Sequence, residues 1–170
     1  MSRRLVCLDL FSIQCLNIVM KDQTHAVYEF ERALFDHLYG DNSKVIGTMT
    51  LMECQRYIDM VWAHHKYGEP PQVKELHGDF ANGNRNEIGL PIWACNPFII
   101  LHELAHSMNV DVVESHGPNF MRLLLDLRSR YLGCELVWCD PFARSFGLNI
   151  SDQILVPVTR DIPRLPRLRW

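Results

Sequence analysis

One apolar stretch, residues 96–108, constrains this chain most, because it carries the motif His-Glu-x-x-His between His102 and His106. Asn96 is a favourable N-cap and Pro97 suits the first helical position, so the stretch is predicted to be a helix. Residues four apart lie on the same face of a helix, so the two histidines point in one direction. With 8 histidines in 170 residues, chance placement gives this motif only about 0.02 times per chain.

The chemistry that this spacing suits is metal binding. Two neutral imidazoles placed this way can take two positions of a tetrahedral zinc ion, at about 2.0–2.1 Å from the metal. Glu103 lies about 100° further around the helix axis, so it reaches the solvent side of the metal without binding it. A general base must stand there to take a proton from a zinc-activated water. The sequence therefore predicts zinc ligands at His102 and His106 and a catalytic Glu103.

A catalytic zinc needs a third protein ligand, and the sequence offers three candidates. The metzincin pattern is excluded, because positions 109 and 112, where it requires a glycine and a ligand, hold asparagine and valine. His116 directly precedes Gly117-Pro118, a helix-start signature, so a turn could aim its ring back at the metal. We therefore expect His116 to be the third ligand. Carboxylates also bind zinc, so Glu114 and Asp111 remain the alternatives.

The two histidine motifs resemble those of SprT-like zinc peptidases, in which His-Glu-x-x-His is followed by a histidine in a His-Gly-x-x-Phe context. Here that second motif is His116-Gly117-Pro118-Asn119-Phe120. The chain is also similar to a family of small metallohydrolases of actinobacteria and their phages, whose opening reads R-D-S-Q-x-x-x-V-Y-x-x-E. Lys21-Asp22-Gln23 and the run Val-Tyr-Glu-Phe-Glu at 27–31 match that opening, and residues 55–58 resemble the family's middle helix. The resemblance covers roughly residues 21–133.

This resemblance implies an α+β fold of the zincin type, SprT-like or minigluzincin-like, with helices packed on a small mixed sheet. It also implies zinc at His102, His106 and His116, Glu103 as the catalyst, and a protein or peptide substrate. One departure is the spacer between His106 and His116, which holds nine residues and is longer than is common in SprT-like enzymes. Two alternatives stay open: a structural zinc closed by a fourth ligand in a binding or virion protein, and a DNA-associated protease.

Composition fits one domain of moderate size. A chain of 170 residues that is 48 % hydrophobic can bury a sizeable core. We divide it into an N-terminal extension (1–20), a zincin-like domain (21–133) and a C-terminal extension (134–170). The net charge of −3 gives no global footprint for nucleic acid. Only the basic tail at 159–170, with prolines between its arginines, offers a local contact for a phosphate backbone.

Cysteine usage and the first residues indicate the compartment. Six cysteines are scattered without a dense framework, which suits a reducing cytoplasm, that of the host if a phage encodes the chain. Cys134 and Cys139 have no second pair after them, so unpaired thiols rather than a zinc ribbon are expected. Asp9, Gln14 and Asn17 interrupt the N-terminal apolar run, which argues against a signal peptide or a membrane span. No membrane partner is expected.

Periodicity and end signals predict the remaining elements. Helices are expected at 24–39, at 51–65 behind a capping box of Thr50 and Glu53, and at 118–132, and strands at 44–49, 72–76 and 87–93. Because Pro91 cannot donate to a ladder, the last strand is expected either to lie at a sheet edge or to contain an irregularity. An edge strand could pair with extended substrate, or the proline could simply protect the edge from aggregation.

The sequence also predicts the surroundings of several charged or titratable residues outside the motif. His64 and His65 are expected in solvent or as helix caps, near the end of the second helix. The arginines of the 118–132 helix are expected to form a solvated face; they are Arg122, Arg128 and Arg130. A carboxylate, Asp111 or Glu114, is expected to orient one ligand histidine through its distal N–H.

Overall fold

Five α-helices and one small mixed sheet make up the part of the chain that this computed structural model describes, residues 23–40, 49–65, 68–109 and 115–153. This is an α+β arrangement, as the sequence predicts at the level of class. A short 3-10 turn, Ile92–Ala94, separates the sheet from the third helix. The elements in chain order are α1 Thr24–Tyr39, α2 Leu51–Ala63, β1 Gln72–Glu75, β2 Asn82–Gly83, β3 Glu87–Leu90, α3 Pro97–Met108, α4 Pro118–Tyr131 and α5 Leu136–Ser145.

Local signals set the helix ends. The capping box before α2 is present in full, since the Thr50 hydroxyl accepts from the Glu53 backbone N–H at 3.2 Å and the Glu53 carboxylate accepts from the Thr50 N–H at 2.8 Å. Asn96 caps α3 by accepting from the Ile99 N–H at 3.1 Å. Gly133 follows α4 at φ +73°, a conformation that glycine adopts without strain. The predictions for α1, α2, α3 and α4 are confirmed to within two residues at each end.

The sheet has the order β1-β3-β2, with β1 parallel and β2 antiparallel to β3. The prediction of an edge strand at 87–93 is therefore wrong in two respects. The strand β3 ends at Leu90, and it has a neighbour on each side. Pro91 ends the strand and leads into the 3-10 turn, so its missing N–H marks a strand end and not a sheet edge. Among the described strands, the two edges are β1 and β2.

The core surrounds α3. This helix packs against α2, α4 and the strands β2 and β3, and ten of its twelve residues are buried. Ile88 and Leu90 of β3 are fully buried with Leu101 and Leu104 of α3. Each such side chain contributes about 1.5–3 kcal/mol through burial. The metal motif is thus carried by the most enclosed helix of the described chain.

The segment after Gly133 contributes to the same core through α5, which the sequence did not predict. Pro141 lies inside this helix and hid it from a periodicity analysis. The Phe142 and Phe146 rings lie 5.9 and 6.0 Å from the ring of Phe30 on α1. Cys139 is fully buried in the core. The C-terminal extension therefore packs on the helices of the predicted domain as far as residue 153.

Several predictions lie outside the described residues. These are the N-terminal extension, most of the strand at 44–49, the basic tail, and the alternative ligands Asp111 and Glu114. The cysteines at 54, 95, 134 and 139 are free and buried, as expected of unpaired structural thiols. Among the described helices, none has the length and apolar character needed to cross a lipid bilayer.

Candidate metal centre

Three imidazoles converge between α3 and α4. His102 and His106 lie one turn apart on α3, and His116 lies in the turn immediately before α4, where Gly117 is the N-cap and Pro118 the first helical residue. The Nε2 atom of His102 lies 3.1 Å from Nε2 of His106 and 3.4 Å from Nε2 of His116. One nitrogen from each ring lies within 4.8 Å of the other two. The structure thus brings together the three histidines that the sequence predicts as ligands.

The spacing of these nitrogens fits a tetrahedral metal ion. Two nitrogens that bind one zinc at 2.0–2.1 Å with tetrahedral angles lie about 3.3–3.4 Å apart, close to the two separations observed. Burial, together with the neighbouring His102 and His116, lowers the pKa of His106 from 6.5 to about 3. His106 is therefore neutral at physiological pH, with a lone pair available for a metal. The cluster could hold a metal ion, and the donor set is imidazole alone within the described residues.

Packing and hydrogen bonds fix the His116 ring. Its Nδ1 lies 2.9 Å from the Thr24 hydroxyl and 3.3 Å from the Ser115 hydroxyl. The Gln23 side-chain amide donates to the His116 backbone carbonyl at 3.1 Å. The residues at the start of α1 thus hold the turn before α4. Since Nδ1 is occupied by hydroxyl groups, Nε2 is the nitrogen that faces the other two histidines.

A buried carboxylate holds the His102 ring, and it is neither of the two carboxylates that the sequence predicted for this role. Glu31 on α1 has its Oε1 atom 2.9 Å from Nδ1 of His102. Burial raises the pKa of Glu31, but the charges of His102 and Arg128 outweigh burial and lower the pKa to about 2. Glu31 is therefore an ionised acceptor. Asp111 and Glu114, which the sequence analysis preferred, lie outside the described residues. The sequence feature that could have pointed to Glu31 is the run Val-Tyr-Glu-Phe-Glu, which ends at this residue and matches the opening of the resembled family.

Arg128 is the partner that keeps this carboxylate charged. Its side chain is 0 % exposed, and its Nη2 atom forms an ion pair with Oε1 of Glu31. The guanidinium carbon lies 3.8 Å from the centre of the Phe98 ring. The predicted solvated arginine face is therefore wrong at Arg128. It is also wrong at Arg122, which pairs with Asp140 at 3.0 Å. Both arginines face neighbouring helices that supply a carboxylate.

Glu103 is buried beside the ligands. It is 5 % exposed, and burial raises its pKa to about 7, although the charge of His102 acts in the opposite direction. Its carboxylate does not belong to the group of three ligand residues. Its backbone carbonyl accepts from the Ser107 hydroxyl at 3.0 Å. A carboxyl group with a pKa near neutrality can both accept and donate a proton. The catalytic role of Glu103 stays a prediction.

Two aromatic rings enclose the histidines, and neither was predicted to do so. Phe120 of α4 packs against all three imidazoles, with ring centres 4.4–5.1 Å apart. Tyr28 of α1 stacks on His102 at 6.0 Å and meets His116 edge-on at 5.6 Å. Tyr28 is 52 % exposed, so it stands at the solvent side of the cluster. Apolar walls of this kind exclude water and strengthen electrostatic interactions within the site.

The pair His64 and His65 forms a different cluster. The Tyr131 hydroxyl lies 2.9 Å from Nδ1 of His64 and 3.2 Å from Nε2 of His65. His65 is 2 % exposed, so the expectation of a solvent or capping role is wrong for it. The reason is that the C-terminal end of α2 packs on α4 through Tyr131, a contact between residues far apart in sequence.

Because comparisons with known proteins found no match, the site is interpreted from its own geometry. No protein-family model, no curated protein and no solved structure matches this chain.

Proposed function

We propose that this chain is a zinc-dependent hydrolase of the zincin type, a metallopeptidase related to SprT-like enzymes. The observation that carries the proposal is the convergence of Nε2 atoms from His102, His106 and His116 next to a buried Glu103. Metal centres built from three imidazoles and a neighbouring carboxylate activate water for hydrolysis in several unrelated zinc enzymes. The peptidase assignment comes from the resemblance of the two motifs.

Zinc is the metal that the donor set favours. The group consists of imidazoles without thiolate or carboxylate ligands in the described chain, and imidazole suits zinc, copper, iron and nickel. Separations of 3.1 and 3.4 Å between ligand nitrogens support a tetrahedral arrangement, which zinc adopts in most protein sites. Three protein ligands leave the fourth position for water or substrate, which is the pattern of catalytic zinc sites.

The residues of the chain have separate roles in the proposed reaction. A bound zinc ion supplies Lewis acidity, which lowers the pKa of water and polarises a carbonyl group. Glu103 takes the proton of the attacking water on its carboxylate and later delivers it to the leaving nitrogen. Glu31, Thr24 and Ser115 hold the ligand rings by their Nδ1 atoms. Phe120 and Tyr28 limit the access of bulk water to the histidines.

The substrate in this proposal is an extended peptide. Strand β2 is an edge of the sheet and packs on α3. An edge strand has unpaired N–H and C=O groups that can bind a further strand. This moves the proposed docking edge from β3, where the sequence placed it, to β2. Tyr28, exposed beside His102 and His116, would contact a peptide that reaches the metal.

The alternative is a structural zinc in a binding or virion protein. The number of protein ligands on the zinc distinguishes it from a catalytic zinc. A structural site is closed by a fourth protein ligand. Within the described residues the metal-binding group has three members and no fourth histidine, cysteine or carboxylate. Asp111 and Glu114, which could close the site, lie outside the described residues, so a zinc-bound structure is needed for the full ligand count. The prediction of a DNA-associated protease depends on the basic tail, which lies outside the described residues.

A peptide-library experiment tests the proposal. The purified protein, loaded with one equivalent of zinc, is incubated with a proteome-derived peptide library, and new peptide ends are identified by mass spectrometry. We expect cleavage that stops when a chelator removes the metal and returns when zinc is added back. The variant Glu103→Gln keeps the metal site but lacks the base, so it should bind zinc and produce no new ends. Glu69→Gln, which changes an exposed glutamate, is the matched control and should cleave as the wild type does. Equal cleavage by Glu103→Gln and the wild type would remove the proposed mechanism.

A further inference from the structure

The most deeply buried charge in the described chain is that of Arg128. Its side chain is 0 % exposed and is the largest among the fully buried side chains. Of its three nitrogens, Nη2 contacts Glu31, whereas Nε and Nη1 have no hydrogen-bond partner. The face of the Phe98 ring covers the guanidinium at 3.8 Å. An arginine in this position costs desolvation that a leucine or methionine would avoid, so packing alone does not explain it.

Arg128 and His102 share one oxygen atom. The Oε1 atom of Glu31 accepts from Nη2 of Arg128 and, at 2.9 Å, from Nδ1 of His102. The three residues come from three helices, α4, α1 and α3, and they meet behind the ligand cluster. A chain of contacts therefore runs from the guanidinium through the carboxylate to the ring that carries a metal-facing nitrogen.

We propose that Arg128 is a positioning residue that acts through Glu31 to fix the orientation and tautomer of His102 for metal binding. The inference rests on the proposed metal site and not on hydrolysis. In the neutral ring, a proton on Nδ1 that Glu31 accepts leaves Nε2 unprotonated, and Nε2 faces His106 and His116. A carboxylate partner also makes the ring a stronger ligand.

The guanidinium is needed because Glu31 is itself buried, with 9 % of its surface exposed. Burying a carboxylate is costly unless a cation lies beside it and donors satisfy its oxygens. Arg128 supplies that cation and, through Nη2, a fixed direction. Without Arg128, Glu31 would lose one of its two partners at Oε1, and the His102 ring would be free to turn or to change tautomer.

The test measures metal affinity and the ligand field, which do not require hydrolytic activity. The variants are Arg128→Met, Glu31→Gln and the double variant. Arg122→Met is the matched control, because Arg122 lies on the same helix but pairs with Asp140 and the Ser151 carbonyl. Zinc affinity is measured by competition with a chromophoric chelator. The visible absorption of the cobalt(II)-substituted proteins reports the geometry of the ligands.

We expect each single variant to weaken zinc binding by about 10–100-fold, the usual effect of losing a residue that orients a ligand histidine. The double variant should be no weaker than the weaker single variant, since both changes break the same chain of contacts. The cobalt spectra of the three variants should shift together. Arg122→Met should keep the affinity and spectrum of the wild type. The double variant removes both buried charges, so it can be measured even if one single variant does not fold.

Two results would overturn the inference: a folded double variant with wild-type zinc affinity, or single effects that add in full. If the wild type binds no metal at all, the proposed function fails. The positioning role of Arg128 is then tested on the metal-free protein by the tautomer of His102. Nitrogen-15 spectra of the imidazoles should show the proton on Nδ1 of His102 in the wild type and in Arg122→Met. The same tautomer in the double variant would contradict the role of Arg128.

Discussion

Gly83 lies directly against the backbone of Glu103: a Cβ atom at position 83 would stand 2.4 Å from the Glu103 carbonyl oxygen and 3.0 Å from its Cα atom. Glycine is therefore the residue that lets strand β2 approach helix α3 this closely. The contact falls at the glutamate between the two ligand histidines of α3. It fixes the position of strand β2 relative to the proposed metal centre. A peptide bound along β2 would depend on this position to reach the metal.

Replacing Gly83 by alanine tests this contact. The added methyl group collides with backbone atoms that cannot rotate away, so we expect a loss of about 1–3 kcal/mol in the free energy of unfolding. Urea denaturation measures the change. Asn82→Ala, in the same short strand but with an exposed side chain, should change stability by less than about 0.5 kcal/mol. A Gly83→Ala protein as stable as the wild type would show that β2 does not press on α3.

The identity of the third ligand makes a separate prediction. His116→Ala should lower zinc affinity by at least about 100-fold, since two ligands from one helix do not hold a catalytic zinc. His37→Ala is the control and should bind as the wild type does, because His37 is an exposed residue of α1 whose ring contacts Trp138 and not the histidine cluster. Glu114→Gln and Asp111→Asn test the alternatives that sequence analysis left open. If one of these variants lost the metal and His116→Ala kept it, the assignment of His116 would be wrong.

The buried His65 predicts a pH dependence of stability. Burial, followed by the charges of Arg130 and His64, lowers its pKa from 6.5 to about 4. The unfolded chain therefore takes up a proton at His65 near pH 6.5, whereas the folded chain does so only near pH 4. The contribution of this residue to stability is present above pH 6.5 and is lost as the pH falls from about 6.5 towards 4.

Urea denaturation at pH 7 and pH 5 measures this effect. Between these values the wild type should lose about 1 kcal/mol more than His65→Gln, which cannot titrate but can still contact the Tyr131 hydroxyl. Since the comparison is between two variants, the other histidines cancel. Equal losses in the two proteins would mean that His65 can be protonated in the folded state.

Much of the helical framework could be predicted because its signals are local. The capping box of Thr50 and Glu53, and the N-cap of Asn96 followed by Pro97, each act within one turn. The direction in which His102 and His106 point also follows from helix geometry alone. His116 was predicted as a ligand from a helix-start signature ten residues beyond the motif, and the structure brings it to the same cluster.

What could not be predicted depends on contacts between distant parts of the chain. Glu31 and Arg128 are 97 residues apart, and each alone resembles an ordinary surface charge on an amphipathic helix. The central position of β3 depends on its pairing with both β1 and β2, which no single strand encodes. Proline occurs both in edge strands and at the ends of strands, so Pro91 alone does not distinguish the two positions. Local patterns were therefore reliable for helices α1 to α4, but they missed α5, which contains Pro141, and they did not reveal the buried charges or the strand order.

A crystal structure of the protein grown with zinc, with the ion located by anomalous scattering, would decide whether the three histidines bind one metal. We predict one zinc bound by Nε2 of His102, His106 and His116 at about 2.0–2.1 Å, with a solvent molecule in the fourth position beside Glu103. A zinc ion bound elsewhere, or one closed by a fourth protein ligand at this cluster, would contradict it.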